Sequence, residues 1–312
     1  MHYNIYFDES NKLDKAKVYS YYGGFGGTTD EIGRLSRETR KICRGSKNEL
    51  HFAEYTDDGS MYKYFNVINT VINADITFNF FIVDNSKALQ LAEHYGISDG
   101  ELRNMLYIKI PERLFYGIAR YKTDISKINI TVDKDTNYRK IRLYSKVKEQ
   151  MNAHSAYRNL KYQVNNVKPM NSENNISVQI IDIVMGMTVF LMEGLYKKET
   201  IATKVKSDLI YRLFLENDNI QKYKEKIKIF KWDGSGENVV EININEFIPE
   251  FLIYKQLFDM DEIVKLQNIF YTNPGLSIKQ YQNLMGYSGS LRRMLIGYMD
   301  QVQGRGRNYY LK

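Results

Sequence analysis

The sequence predicts an α/β protein in which a mixed five-stranded sheet with flanking helices is followed by a small helical module. Three observations lead to this prediction. Short apolar and aromatic runs alternate with longer helical patterns along most of the chain. One helical stretch is apolar on all sides, which is typical of a buried helix. The last 50 residues are basic and contain three short amphipathic stretches.

The composition fits one large domain and a small one. The chain has 312 residues, 43% of them hydrophobic, and only four prolines, so it can bury a sizeable core. One cysteine and four histidines without ligand spacing argue against disulfides and a zinc site. No signal pattern and no uncharged apolar run of about 18 residues stands out. We therefore expect a cytoplasmic protein that is not inserted in a membrane.

The strands and helices are predicted from the periodicity of apolar residues and from the turn-forming residues between them. Strands are expected at residues 3–8, 17–27, 76–84 and 127–133 and near 160–167. Helices are expected at 30–44, 60–73, 99–122 with a break near Pro111, 137–152 and 177–195. The glycines of "VYSYYGGFGG" lack the Lys-Ser/Thr of a phosphate loop, so they predict close backbone packing or a bulge.

This order matches the ribonuclease H-like arrangement, in which three antiparallel strands precede two parallel ones. The first and fourth strands then lie side by side in the sheet centre. Asp8 ends the first strand in "IYFDES", and Asp133 ends the fourth in "KINITVD". Both are expected at one sheet edge, where α/β proteins place their sites. Ordinary turn chemistry is the alternative reading of Asp8.

The apolar stretch "SVQIIDIVMGMTVFLMEGL" contains the strongest anomaly. It carries Gln179 and Asp182 three residues apart and hence on one helix face. A buried carboxylate needs a partner, such as an arginine or a backbone amide, or a metal ion. A divalent metal shared with Asp8 and Asp133 is the sharper hypothesis, because Mg²⁺ prefers carboxylate oxygens.

Three segments, "YFDES", "VDKD" and "SVQIIDIVMG", resemble the bacterial and phage domain-of-unknown-function family 3800. The resemblance covers roughly residues 1–240, including "IKIFKWDG", and leaves the basic module outside. It implies a ribonuclease H-like fold and a nuclease activity. The residues that it assigns to the site are Asp8, Glu9, Gln179 and Asp182 by motif and Asp133 by position.

The predicted cofactor is Mg²⁺ or Mn²⁺, with Asp8, Asp133 and Asp182 as ligands. Two such ions can stabilise the attacking and leaving oxygens of a phosphodiester. Gln179 would orient a carboxylate or the attacking water. Strand alternation puts Asp8 and Glu9 on opposite faces, so Glu9 is expected to support Asp8 or to bind a second metal.

A fourth carboxylate is expected at Glu49 in "NELHFAEY", with His51 nearby. Glu101 and Glu112, on the helix after the third strand, are the alternatives. A solvated glutamate is the ordinary reading of each.

The C-terminal module carries most of the net charge of +7. After residue 262 the chain has seven basic residues and one acidic residue, which leaves a charge of +1 for everything before it. Three short helices and a basic hairpin predict a winged helix-turn-helix. Its expected nucleic-acid contacts are Lys279, Arg292, Arg293, Arg305 and Arg307. Basicity for solubility is the alternative.

Two domains are predicted. A ribonuclease H-like nuclease domain covers residues 1–255 and consists of a core at 1–197 and a helical or hairpin extension at 198–255. The C-terminal module covers residues 256–312.

The first hypothesis is a metal-dependent nuclease acting on RNA or DNA, with nucleic acid as partner and a homodimer through the module. The alternative is a non-catalytic DNA-binding regulator or assembly protein on a degenerate scaffold. Convergence of Asp8, Asp133 and Asp182 would favour the nuclease.

Overall fold

The computed structural model describes residues 1–44, 49–119, 127–232, 234 and 239–284. The chain forms two compact units. The first comprises Met1–His51, Val67–Met185 and Gln221–Ile244. The second comprises Phe52–Asn66, Gly186–Ile220 and the described part of Asn245–Lys312. Within these ranges, none of the helices has the length and apolarity that crossing a membrane requires.

The first unit is built on a mixed sheet of seven strands within the described residues. The strands are β1 (His2–Ser10), β2 (Tyr19–Thr28), β3 (Thr77–Asp84), β4 (Lys127–Asp133), β5 (Gln163–Met170), β6 (Ile227–Trp232) and β7 (Val239–Ile242). Their order across the sheet is β5-β4-β1-β2-β3-β6-β7. The α/β class is confirmed, but the predicted number of five strands is wrong because β6 and β7 extend the sheet beyond β3.

The strand directions position the candidate site. β1 pairs antiparallel with β2 and parallel with β4, and β2 pairs antiparallel with β3. β4 and β5 are parallel, as are β3 and β6, whereas β7 runs antiparallel to β6. The first and fourth strands are therefore neighbours, as predicted, and their carboxyl ends lie at the same sheet edge.

The helices of the first unit are α1 (Thr29–Ile42), α3 (Asn85–His94), α4 (Asp99–Ala119), α5 (Thr136–Lys140) and α6 (Leu143–Tyr157). Three more helices, α2 (Met61–Asn73), α7 (Ile176–Met192) and α9 (Asn219–Lys226), have residues in both units. Local signals set several boundaries. Thr28 caps α1 by accepting a hydrogen bond from the Glu31 amide, and Asp84 caps α3 in the same way through the Lys87 amide.

One face of the sheet packs on the main hydrophobic core. Ile5 and Phe7 of β1 and Ile130 of β4 are fully buried there, together with apolar side chains of α4 and α6. Helix α4 continues through Pro111 without the predicted break. A proline inside a helix removes one backbone hydrogen bond, but burial of Pro111 and its neighbours compensates for this loss.

The opposite face of the sheet carries α7, and a glycine allows its close approach. A Cβ atom on Gly23 of β2 would lie 2.9 Å from Cγ2 of Ile181 and 3.1 Å from Sδ of Met185. Because any larger residue would push α7 away, the glycine-rich strand serves backbone packing, as predicted. Gly23 pairs with Asp8 in the sheet, so α7 lies over the face to which Asp8 belongs.

The described second unit contains α8 (Ile201–Phe214), α10 (Phe247–Thr272) and α11 (Ile278–Leu284). The predicted domain boundary at 255/256 falls inside α10, so the first helix of the predicted module continues a longer helix. The second helix predicted for the module corresponds to α11. The predicted third helix and wing lie outside the described residues, as do Arg292, Arg293, Arg305 and Arg307.

Candidate functional site

Asp8 and Asp133 occupy matching positions at the ends of two neighbouring parallel strands. Phe7 of β1 pairs with Val132 of β4, and each aspartate is the next residue along its strand. Oδ1 of Asp133 accepts a hydrogen bond of 3.2 Å from the amide of Ser172. Oδ1 of Asp8 accepts one of 2.8 Å from the amide of Glu9. The two carboxylates therefore sit on one face at the carboxyl edge of the sheet.

Asp182 reaches the same region from α7. Its side chain is 28% exposed, so the expectation that it is fully buried is wrong. Nδ1 of His51 lies 3.4 Å from its Oδ2. His51 is thus one partner of Asp182, and a histidine was not among the partners considered from the sequence. Residues 176–184 of α7 are otherwise almost all buried, which fixes the position of Asp182 on the helix.

The three aspartates interact electrostatically. Burial raises the pKa of Asp8 well above its ordinary value. The negative charges of Glu9, Asp133 and Asp182 raise this pKa further, in that order. A carboxylate surrounded by carboxylates is a place where a cation would lower the free energy.

His51 connects two of the candidate carboxylates. Its Nε2 lies 3.4 Å from Oε2 of Glu49, while its Nδ1 faces Asp182. The other oxygen of Glu49, Oε1, is buried and has no hydrogen-bond partner within the described residues. An orphaned buried carboxylate oxygen is suited to a metal, a water or a substrate proton donor. The preference for Glu49 as the fourth carboxylate thus agrees with its position, and the sequence stretch "NELHFAEY" already contained His51.

Gln179 ties two backbone segments of the site together. Its Oε1 accepts a hydrogen bond of 3.2 Å from the amide of Leu50, and its Nε2 donates one of 2.9 Å to the carbonyl of Ser172. Ser172 in turn holds Asp133 through its amide. Gln179 therefore positions the segment of His51 and the turn beside Asp133. The role of the Ser172 amide was missed, since a backbone donor leaves no sequence signal.

Glu9 points away from the three aspartates. It has the strand parity of Ile5 and Phe7, which face the main core. Its Oε1 pairs with the ammonium of Lys12 at 2.9 Å, and Lys12 also contacts Asp135 at 2.8 Å. Burial raises the pKa of Glu9, and Lys12 opposes this shift. The structure therefore does not bring Glu9 together with the other predicted ligands.

The remaining candidates have structural partners elsewhere. Glu101 forms a capping box with Ser98 at the start of α4, with a bond of 2.7 Å between their side chains. Oε1 of the buried Glu112 lies 3.3 Å from Nδ1 of His154. Lys279, the predicted nucleic-acid contact that is described, is exposed on α11.

The donor set fits a hard divalent cation, because carboxylate oxygens are the ligands of Mg²⁺ and Mn²⁺. Metal binding also requires that the donor side chains lie close to a common point. Over the ranges that the structure describes, no group of three or more His, Cys, Asp and Glu side chains is arranged to hold a metal ion. The donor types therefore match those of a divalent cation, whereas the positions of the described side chains do not form a metal site.

No protein-family model, curated protein or solved structure matches the chain. The resemblance to domain-of-unknown-function family 3800 consequently stays a prediction, and the site has to be interpreted from its own residues.

Proposed function

We propose that the protein is a metal-dependent nuclease that hydrolyses phosphodiester bonds of RNA or DNA. The observation that carries this proposal is the grouping of Asp8, Asp133 and Asp182, in which burial and then the charges of Glu9, Asp133 and Asp182 raise the pKa of Asp8. Neighbouring carboxylates repel one another, and a cation or bound protons would offset that repulsion. A divalent ion would offset it and would explain why these carboxylates lie together.

The strand order supports a ribonuclease H-like fold for the first unit. The strands β3-β2-β1-β4-β5 occupy five consecutive positions of the sheet, counted from the β5 edge, with β1 and β4 parallel and adjacent. Fold alone does not define activity. The relevant point is that both strand-end aspartates lie where such a sheet would present them to a ligand.

The bound ion would be Mg²⁺ or Mn²⁺, which supplies an activated water and stabilises charge on the leaving oxygen. Asp8, Asp133 and Asp182 would hold it, and Glu49 would complete the set. His51 would keep Glu49 and Asp182 in place. Gln179 would hold the backbone around them rather than contact substrate.

A non-catalytic nucleic-acid-binding protein is the second candidate. The observation that favours it is the lack, among the described residues, of a side-chain group arranged to hold a metal ion. In this case the basic C-terminal residues would bind nucleic acid, and the carboxylates would be remnants of a site on a degenerate scaffold.

The deciding experiment incubates the full chain with labelled single- and double-stranded RNA and DNA in Mg²⁺, Mn²⁺ or EDTA. The test variant is Asp8→Asn/Asp182→Asn. Asp84→Asn is a matched control, because Asp84 also ends a strand, β3, but caps α3, and asparagine can serve as a cap. Mn²⁺ binding to each protein is measured in parallel by electron paramagnetic resonance.

We expect metal-dependent cleavage by the wild type and by Asp84→Asn, with no cleavage and weakened Mn²⁺ binding in the double variant. Equal cleavage by the wild type and the double variant would contradict the nuclease assignment. Nucleic-acid binding without cleavage in any protein would favour the second candidate.

A further inference from the structure

The helix α10 has an apolar outer face. Ile253, Leu257, Met260 and Val264 are 59%, 63%, 60% and 50% exposed, respectively. About two turns further on, Tyr271 is 79% exposed. We call these five residues the apolar stripe of α10. Single exposed apolar residues are common, but a continuous row on one helix marks an interaction surface.

The inner face of the same helix is mixed. Lys255, Asp259 and Glu262 are buried there at 3%, 8% and 0% exposure, beside the buried apolar residues Ile248, Phe251 and Leu266. The ammonium of Lys255 pairs with Asp208 of α8 at 2.7 Å and also with Asp259. A surface helix of a monomer normally hides its apolar side and exposes its charges. In α10 three charged residues are buried while the apolar stripe is exposed, so the stripe is available for an interaction.

We propose that the apolar stripe of α10 packs against the same stripe of a second copy of the chain and forms a homodimer. The steps between Ile253, Leu257, Met260 and Val264 are four, three and four residues. This is the a/d spacing of a helix that pairs with another helix. In this heptad register Leu257, Val264 and Tyr271 occupy a positions, and Ile253, Met260 and Gln267 occupy d positions.

The charges beside the stripe favour a second copy over a polyanion. Gln256 and Asn268 are exposed and uncharged, and Asp261 adds a negative charge. The exposed Lys265 pairs with Glu262 at 3.0 Å. A nucleic acid would require free cations along the helix, whereas an almost uncharged seam can meet its own copy without repulsion between like charges.

A standard protein interface buries about 800 Å² per partner, with an apolar centre and a polar rim. The five side chains of the stripe, each half or more exposed, would form that centre, and the polar residues that flank them would form the rim. The homodimer expected from the sequence is thereby assigned to α10, and it does not depend on the proposed nuclease activity.

The test is sedimentation equilibrium of the full chain between about 1 and 100 µM, a range that detects dimers of ordinary affinity. We expect a mass twice the 36.7 kDa of one chain. Leu257→Lys/Val264→Lys should raise the dimer dissociation constant at least about 100-fold, since two charges would enter an apolar seam. Leu215→Lys is the matched control, because Leu215 is 59% exposed just after α8, and it should leave the dimer unchanged.

The circular dichroism spectrum should remain that of the wild type in both variants, because all three positions are exposed in one copy. As a second measurement, Leu257→Cys/Met260→Cys in a Cys43→Ser background should form an intermolecular disulfide on oxidation, whereas Leu215→Cys in that background should not. A wild-type monomer at about 100 µM, or a dimer that withstands Leu257→Lys/Val264→Lys, would overturn the proposal.

Discussion

His51 and Asp182 face each other at the candidate site, with 3.4 Å between Nδ1 of the imidazole and Oδ2 of the carboxylate. The contact joins the segment after α1 to helix α7. Since the other ring nitrogen faces Glu49, His51 bridges two residues that are far apart in sequence. The histidine therefore orients carboxylates without being a predicted ligand itself.

Replacement of His51 by alanine should weaken the proposed metal binding more than it weakens the fold. Loss of such an orienting group lowers metal affinity by about 10- to 100-fold. The free energy of unfolding should change by less than about 1 kcal/mol, because contacts between partly exposed polar side chains contribute little. Mn²⁺ titration and urea unfolding measure the two effects. His94→Ala, at the end of α3, is the control, and an equal loss of affinity there would contradict this role.

Replacement of Gln179 by alanine should destabilise the first unit. The amide of Leu50 and the carbonyl of Ser172 would both lose their side-chain partner. Two broken hydrogen bonds, one of them buried, cost about 2 to 3 kcal/mol. Urea unfolding measures this loss. The control Gln221→Ala removes an exposed glutamine of α9 and should cost less than about 0.5 kcal/mol.

Two glycine-to-alanine changes should have opposite effects on stability. Gly23→Ala places a methyl group 2.9 Å from Ile181 and should cost about 1 to 3 kcal/mol through overpacking. Gly33→Ala lies inside α1, where the nearest atom is 3.4 Å away on the flexible side chain of Arg37. It should stabilise the protein by about 0.5 to 1 kcal/mol. A stabilising Gly23→Ala would show that α7 does not need the close approach.

Stability should depend on the protonation of Asp259. Burial raises the pKa of Asp259 to about 6, and the Lys255 ammonium opposes this shift. Lys255 itself is shared with Asp208, so its single charge does not neutralise both carboxylates. A pKa that is higher in the folded state means that stability is greatest at low pH and falls between about pH 4 and pH 6.

The fall attributable to Asp259 should amount to about 3 kcal/mol over that window. The difference between the wild type and Asp259→Asn isolates this contribution from the other titrating groups. Unfolding free energies are compared at pH 4, 5, 6 and 7, and a difference that does not vary with pH would contradict the assignment.

Much of the first unit could be predicted because its pattern is local. Alternating apolar residues revealed β1 to β5, and their order with the helices led to the neighbouring positions of β1 and β4. The strand β6 was missed: "IKIFKW" lies between a charged helix and a short strand, and only its pairing with β3 identifies it as part of the sheet. Such pairing depends on residues about 150 positions apart.

The candidate site could be predicted in part for the same reason. Asp8 and Asp133 end recognisable strands, and Asp182 breaks an apolar helix. The contact of His51 with Asp182 and the bridging of Gln179 depend on how a loop folds back on α7, which no periodicity encodes. In α10, the burial of Leu266 follows from its apolar side chain, whereas Lys255 is buried with Asp208 opposite it, and no apolar pattern indicates that.

The continuity of α10 limits how the chain can be taken apart or recombined. A cut between residues 255 and 256 would separate Lys255 from Asp259 and leave a buried ammonium with half of its counter-charge. It would also end a 26-residue helix after nine residues. The predicted module 256–312 is therefore not an exchangeable unit, and a junction would have to lie upstream of Phe247 or downstream of Thr272.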